Sequence, residues 1–168
     1  MHIRLAASGD RQALAAMHVA SIRELCAGHY EVGQIEAWTA SITPEAYDQA
    51  LREKIFLVAE EAGGIVGLGI LDPDAACIDA VYVAPHAVRQ GIGARLVACL
   101  EDQACRADCR CLTVYATLNA VGFYSLLGYA LEGDAVHVLA CGRTLPCVKM
   151  SRRFNPGAGE GRGGREPC

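Results

Sequence analysis

The sequence predicts a mixed α/β fold in which helices flank a central, mostly antiparallel sheet of about seven strands. Helical segments dominate the first third of the chain, and two apolar segments joined by Gly63 and Gly64 follow them. Apolar strands then alternate with helical segments. A glycine turn between strands indicates antiparallel pairing, whereas an intervening helix permits parallel pairing, so together the patterns predict a mixed sheet.

The amino-terminal third contains one strand and two or three helices. Ser8 or Asp10 can cap the first helix, whose apolar residues recur at helical spacing up to about His29. Thr43 and Pro44 supply an N-cap residue and a proline at the first position of another helix. The predicted segments are a strand over 2–7, a helix to about residue 29, a second helix over 32–41 and a third from residue 43.

The remainder of the chain contains six further strands and two helices. Gly128 follows the second of these helices, at a position where a left-handed backbone conformation favours glycine. We expect residues 1–154 to form one domain and the glycine-rich residues 155–168 to form a flexible tail. The predicted strands are 55–61, 65–71, 77–83, 111–116, 135–141 and 146–151, and the predicted helices are 92–107 and 120–127.

The composition argues against several classes of protein. Hydrophobic residues make up 52% of the chain and charged residues 20%, which is enough apolar material for a core. The net charge of −4 and the pI of about 5.7 argue against a nucleic-acid binder, which normally carries a basic surplus. Because the chain has no run of 18 or more apolar residues, we expect no membrane span.

The nine cysteines invite a disulfide interpretation. Their number is odd and no export signal is visible, so we expect a reducing, cytoplasmic setting. Cys77, Cys99 and Cys111 lie within apolar runs and are predicted to be small core residues. Cys105 and Cys109 cluster with Cys111, but this spacing is not a usual zinc pattern and no nearby histidine completes it, so we expect no metal.

The most informative segment joins the strand over 77–83 to the helix over 92–107. Gly91 and Gly93 mark the start of this helix, where unpaired backbone N–H groups and the helix dipole attract anions. Glycine also lets the backbone approach phosphate oxygens closely. By itself, a glycine-containing helix start without a ligand is an equally good interpretation. The segment lacks the Lys-Ser/Thr of a P-loop and the third glycine of a dinucleotide fold.

Two segments together resemble the GNAT superfamily of N-acetyltransferases. The first, V-A-P-H-A-V-R-Q-G-I-G over 83–93, resembles the loop that binds the pyrophosphate of acetyl-CoA. The second, L-N-A-V-G-F-Y-S-L-L-G-Y over 118–129, resembles a segment that follows that loop in many members. Val88 departs from the family pattern, which has Gln or Arg there. The resemblance implies a pyrophosphate cradle made by Val88, Arg89, Gln90, Gly91, Gly93 and Ala94.

The resemblance also implies a direct-attack mechanism with acetyl-CoA as co-substrate. Asn119 would contact the pantetheine arm, and Tyr124 would protonate the departing thiolate. Backbone groups of Val81 and Val83 would face the coenzyme, and an N–H of their strand would polarise the thioester carbonyl. The strands 77–83 and 111–116 would lie parallel and splay to admit pantetheine. No cysteine is assigned as a nucleophile, and a lone Tyr124 is also compatible with simple packing.

The general base and the acceptor are the least determined parts of the site. Asp79 is the leading candidate for the base, with His29, Glu36 and His86 as alternatives. We expect the acceptor to be an amine of a small molecule or a protein.

Three side chains are predicted to line the acceptor pocket, although the tryptophan among them is equally suited to packing. They are His29, Tyr30 and Trp38. The sequence does not determine the oligomeric state, and a homodimer is possible. The alternatives to an enzyme are a non-catalytic acyl-CoA-binding regulatory module and a partner-binding domain with an inactive cleft.

Overall fold

The computed structural model describes residues 1–154, so the predicted tail over 155–168 lies outside the described residues. The seven strands are β1 (His2–Leu5), β2 (Ile55–Glu61), β3 (Gly64–Asp72), β4 (Cys77–Val83), β5 (Cys111–Thr117), β6 (Ala130–Val138) and β7 (Thr144–Arg153). The α-helices are α1 (Arg11–Leu25), α2 (Val32–Ala40), α3 (Asp48–Glu53), α4 (Ile92–Arg106) and α5 (Val121–Leu126).

The strands form one sheet in the order β1-β2-β3-β4-β5-β7-β6. All neighbours pair antiparallel except β4 and β5, which are parallel and are connected through α4. This arrangement confirms the predicted mixed and mostly antiparallel seven-stranded sheet.

Helices cover both faces of the sheet. Adjacent residues of a strand point to opposite faces, and on β4 Tyr82 contacts His18 of α1 while Val83 lies beside the first turn of α4. The helix α4 approaches β3 closely because that strand has glycines in the contact. A Cβ at Gly67 would lie 3.0 Å from Leu96 Cδ1, so a larger residue there would push α4 away.

Two predicted boundaries were wrong. The first helix ends at Leu25 and not near His29, because the chain turns at Cys26, where the His29 N–H donates to the Cys26 carbonyl at 2.9 Å. The strand predicted over 135–141 is β6, Ala130–Val138. Its true end is set by a hairpin turn in which the Leu139 N–H donates to the Arg143 carbonyl at 2.8 Å.

The buried side chains form two clusters. The larger one fills the space between the sheet, α1 and α4. The smaller one joins α1 and α2 to the β6–β7 turn, and its members are Ile22, Cys26, Tyr30, Ile35, Trp38, Leu139 and Leu145. Cys99 is buried as predicted, whereas Cys77 and Cys111 are only half-buried. Within residues 1–154, no helix combines the length and apolar character needed to cross a membrane.

Candidate active site

The two parallel strands separate shortly after they meet. Their pairing consists of Cys77 with Thr113 and Ile78 with Val114, and none is found between them further along. The parallel arrangement of these strands is therefore confirmed, and a gap opens between their carboxyl-terminal halves. A cavity of about 30 Å³ lies in this gap, with Tyr124 of α5 among its lining residues.

A bulge directs the backbone of β4 into the gap. The register with β3 shifts between the pairs Ile70–Ala80 and Leu71–Ile78, which leaves Asp79 as the extra residue. Beyond the bulge, the Ala84 N–H donates to the Val66 carbonyl of β3 at 2.8 Å. Because backbone groups alternate in direction along a strand, the N–H groups of Val81 and Val83 point away from β3 and towards the gap.

The loop before α4 has the backbone geometry of an anion site. Arg89 and Gly91 have φ of +63° and +81°, and Gly91 is exposed at the helix N-cap. The first helical bond joins the Arg95 N–H to the Gly91 carbonyl at 3.0 Å. The N–H groups at positions 92–94 precede this bond, and no side chain of the described residues caps the N-cap position.

Glycine is needed at Gly91 and at Gly93 of this loop for different structural reasons. A Cβ at Gly91 would meet nothing within 4 Å, so its left-handed φ is what requires glycine. A Cβ at Gly93 would lie 3.2 Å from Phe123 Cζ and 3.6 Å from Val83 Cγ2. Gly93 therefore permits the close approach of α4 and α5, whereas the sequence suggested a phosphate contact alone.

Tyr124 of α5 is a buried residue that lines the gap between β4 and β5. Its side chain is 4% exposed, and its ring meets those of Phe123 and Tyr129 edge-on at 5.0 and 5.4 Å. Within residues 1–154, its hydroxyl has no hydrogen-bond partner, and burial raises its pKa. The hydroxyl therefore stays protonated near neutral pH and is available as a donor.

The exposed Asn119 lies on the turn between β5 and α5. Its Oδ1 is 3.5 Å from the Cys26 thiol at the end of α1, which ties the turn to the helical layer. Burial raises the pKa of Cys26 to about 11, so this thiol stays protonated and can donate.

A second and larger cavity, of about 580 Å³, lies beside the gap on the face covered by α1 and α2. It shares Asp79, Ala80, Tyr82, Tyr115 and Thr117 with the small cavity. The two cavities are therefore adjacent, and a molecule held in the larger one can reach the gap. Its other lining residues are His18, Tyr30, Trp38, Cys77, Ile78, Val136, His137, Leu145 and Cys147.

Two of the three predicted acceptor residues line this larger cavity. Tyr30 and Trp38 meet edge-on, with ring centroids 5.6 Å apart. The Tyr30 hydroxyl is already used twice, since it donates to the Pro146 carbonyl at 2.9 Å and accepts from the Leu118 N–H at 3.0 Å. His29 lies on the exposed turn after α1 and does not line the cavity.

Asp79 lines both cavities and forms an ion pair with Lys54. Lys54 also pairs with Asp72, at 3.0 Å. The hydrogen bond to Asp79 raises the pKa of Lys54, so the ammonium stays charged beside this carboxylate. The other base candidates, Glu36 and His86, are exposed and line neither cavity.

Sequence reasoning missed several cavity residues, and the polar ones among them include His18, Tyr82, Tyr115, Thr117 and His137. His18 lies between Leu14 and Ile22 on the buried side of α1, and a histidine among buried apolar residues was the available signal. Tyr82 follows Val81 within a strand already assigned to the site. His137 was missed because its strand, β6, was not assigned to the site.

Comparison with known proteins identifies the family of this fold and cleft. The model of the acetyltransferase (GNAT) domain matches residues 26–142. The chain therefore belongs to the GNAT family of N-acetyltransferases, as its sequence motifs predicted.

Individual relatives agree with this assignment. A GCN5-related N-acetyltransferase (Aminotransferase, Class-II) from Rhodopseudomonas palustris is 31% identical, with a TM-score of 0.85 over 91% of this chain and 95% of that chain. PaiA N-acetyltransferase from Thermoplasma acidophilum, solved in complex with coenzyme A, has the same fold at 20% identity, with a TM-score of 0.72 over 91% of this chain and 98% of that chain. The uncharacterised N-acetyltransferase YhfO of Bacillus subtilis (strain 168) is 29% identical over 96 residues, which span 51% of this chain and 64% of that protein.

Proposed function

We propose that this protein transfers the acetyl group of acetyl-CoA to a primary amine, of a small molecule or a protein, by direct attack within a ternary complex. The observation that carries the proposal is the gap between β4 and β5, with Tyr124 on one side and an adjoining cavity of about 580 Å³ on the other. A thioester entering along the gap would meet an amine held in that cavity.

The proposed coenzyme site follows the backbone around the gap. The N–H groups at positions 92–94 and the positive end of α4 would bind the pyrophosphate, with Val88, Arg89 and Gln90 completing the loop. Asn119 would contact the pantetheine arm. A backbone N–H of Val81 or Val83 would donate to the thioester oxygen, which gains negative charge in the transition state.

In the proposed chemistry, acetyl-CoA supplies an acetyl group activated as a thioester. The amine nitrogen forms a bond to the carbonyl carbon, and the carbon–sulfur bond breaks. Tyr124 donates its proton to the departing sulfur, because its raised pKa keeps the hydroxyl protonated. Holding the two reactants in adjoining cavities contributes through proximity.

Asp79 is the proposed base, acting directly or through water. It lies where the two cavities meet, which is where the amine must sit during attack. Its pairing with Lys54 orients the carboxylate, and Asp72 offers that ammonium a second partner when Asp79 takes up a proton.

The proposal is tested by incubating the protein with acetyl-CoA and a panel of primary amines, and measuring thiol release together with the acetylated product by mass spectrometry. Acetyl-CoA binding is measured separately by calorimetry. We expect both binding and amine-dependent turnover. Binding without turnover across the panel would favour the non-catalytic acyl-CoA-binding module, and a ping-pong pattern or an acetylated cysteine would exclude direct attack.

A further inference from the structure

Phe123 lies between the loop that begins α4 and Tyr124. A Cβ at Gly93, in the first turn of α4, would lie 3.2 Å from Phe123 Cζ and 3.4 Å from its Cε2. The same phenyl ring meets the Tyr124 ring edge-on, with centroids 5.0 Å apart. Phe123 therefore packs against both the loop proposed to bind the pyrophosphate and the residue proposed to protonate the sulfur.

Helix geometry explains how one short helix makes both contacts. Phe123 and Tyr124 are neighbours in α5, and successive residues of a helix point about 100° apart. Phe123 packs against α4, while Tyr124 lines the small cavity in the gap. Phe123 is half-buried and lines neither of the two cavities, so any influence that it has on the reaction must pass through a neighbour.

Packing alone fixes the position of the Tyr124 hydroxyl. Within residues 1–154 this hydroxyl has no hydrogen-bond partner, so no polar contact sets its orientation. The ring is held by edge-on contacts with Phe123 and Tyr129, at 5.0 and 5.4 Å. Of these two rings, that of Phe123 supplies the atoms nearest to a Cβ at Gly93. A shift of the α4 loop would therefore reach Tyr124 through Phe123.

Strand β4 meets the same contact region. Val83 Cγ2 would lie 3.6 Å from a Cβ at Gly93, beside the Phe123 ring atoms. The pyrophosphate loop, the strand proposed to polarise the thioester and the helix that carries Tyr124 are thus packed around one apolar ring. The relative positions of these three parts matter, because a misplacement of about 1 Å can lower an enzymatic rate by about a hundredfold.

We propose that Phe123 is a positioning residue for acetyl transfer, which sets the place of the Tyr124 hydroxyl relative to the sulfur of a coenzyme bound at the α4 loop. A phenyl ring suits this role because it is rigid and flat, whereas a methionine of similar size is flexible. The inference rests on the proposed function for its reaction. The dependence of the Tyr124 position on Phe123 stands separately.

The first test separates kcat from coenzyme binding. Phe123→Met keeps most of the apolar volume and Phe123→Leu less of it, and neither keeps a ring. We expect both to lower kcat by about ten- to a hundredfold, with an acetyl-CoA affinity within about threefold of the wild type. Phe56→Leu removes a buried phenyl ring of β2 and is the matched control, with a kcat near the wild-type value. Weaker acetyl-CoA binding with an unchanged kcat would overturn the proposal.

A double-mutant cycle shows whether Phe123 acts through Tyr124. In a Tyr124→Phe background, which keeps the ring and removes the hydroxyl, Phe123→Met should change kcat by about twofold or less, because the donor is already absent. A further loss as large as that in the wild-type background would show that the two residues act independently and would contradict the positioning role.

Fluorine NMR separates this inference from the proposed function. The protein is labelled with fluorotyrosine at its six tyrosines, and the Tyr124 signal is assigned from its loss in Tyr124→Phe. With coenzyme A added, we expect one narrow Tyr124 signal in the wild type and a broadened or split signal in Phe123→Met. That difference without turnover would keep the positioning and remove the proposed reaction. Turnover with identical Tyr124 signals in both proteins would keep the reaction and overturn the inference.

Discussion

The tyrosines around the cleft differ in what their hydroxyl groups do. The Tyr30 hydroxyl bridges the β5–α5 turn and β7 through Leu118 and Pro146, which are far apart in sequence. The Tyr124 hydroxyl has no hydrogen-bond partner within residues 1–154, and Tyr124 lines the cavity in the gap. At the residue scale, the first hydroxyl is therefore structural and the second is available for chemistry.

Replacing Tyr30 by Phe is expected to lower the free energy of unfolding by about 1–3 kcal/mol, because two backbone groups lose their partner. Urea denaturation of both proteins measures the difference. Tyr115→Phe, whose ring is 51% exposed, is the control and should leave the free energy of unfolding unchanged. A Tyr30→Phe protein as stable as the wild type would show that water replaces the hydroxyl.

Replacing Tyr124 by Phe is expected to lower kcat by about 10²- to 10⁴-fold, since the leaving thiolate loses its proton donor. Acetyl-CoA affinity, measured by calorimetry, should stay near the wild-type value. Tyr129→Phe is a matched control, because that hydroxyl bonds Glu101 away from the gap. An unchanged kcat in Tyr124→Phe would show that the sulfur leaves without help from this residue.

At the element scale, the start of α4 combines two requirements in a short stretch of chain. Gly91 supplies a left-handed residue that turns the chain into the helix, and Gly93 makes room for Phe123 of α5. The same turn therefore orients the N–H groups proposed to bind phosphate and sets the distance to the helix that carries Tyr124.

Replacing Gly91 by Ala is expected to weaken acetyl-CoA binding and to lower stability by about 1–2 kcal/mol, because a Cβ strains the left-handed conformation. A steric clash is not expected, since no atom lies within 4 Å of the new Cβ. Calorimetry and urea denaturation measure the two effects. Gly9→Ala, at an equally open position without a left-handed φ, is the control. Wild-type affinity in Gly91→Ala would contradict the proposed pyrophosphate site.

At the scale of the whole molecule, the larger cavity lies where two hydrophobic clusters meet. The larger cluster supports the sheet and α4, whereas the smaller one joins α1 and α2 to the β6–β7 turn. Tyr82 packs against both clusters, and the cavity opens beside it. In the proposed function, the acceptor would contact the helical layer, whereas acetyl-CoA would contact the sheet and α4.

The buried His18 is expected to make the whole fold sensitive to acid. Its pKa is lowered by burial from 6.5 to about 3, so below pH 6.5 the unfolded chain takes up a proton that the folded chain refuses. The free energy of unfolding therefore falls as the pH drops from 6.5 towards 3. Urea denaturation at pH 7 and pH 5 should show a smaller loss in His18→Phe than in the wild type. His2→Phe should match the wild type, and equal losses in all three proteins would exclude this origin.

The sequence by itself determined the features that depend on local patterns. Apolar periodicity and glycine turns predicted the mixed sheet, and the segments around Gly91 and Tyr124 predicted the family. These signals are local because helix periodicity, strand alternation and positive-φ turns each involve residues close together in the chain. The weakest prediction was β6, an edge strand whose exposed residues, such as Leu131 and Val136, obscure the alternation.

The tertiary structure alone decided which side chains meet at the larger cavity. His29 had the more polar sequence context, but it lies on an exposed turn, whereas His18 reaches the cavity from the buried side of α1. The ion pair of Asp79 with Lys54 likewise joins β4 to the residue that connects α3 with β2. Such contacts depend on helix orientation and sheet register, which arise from the burial of many side chains at once and leave no mark at a single position of the sequence.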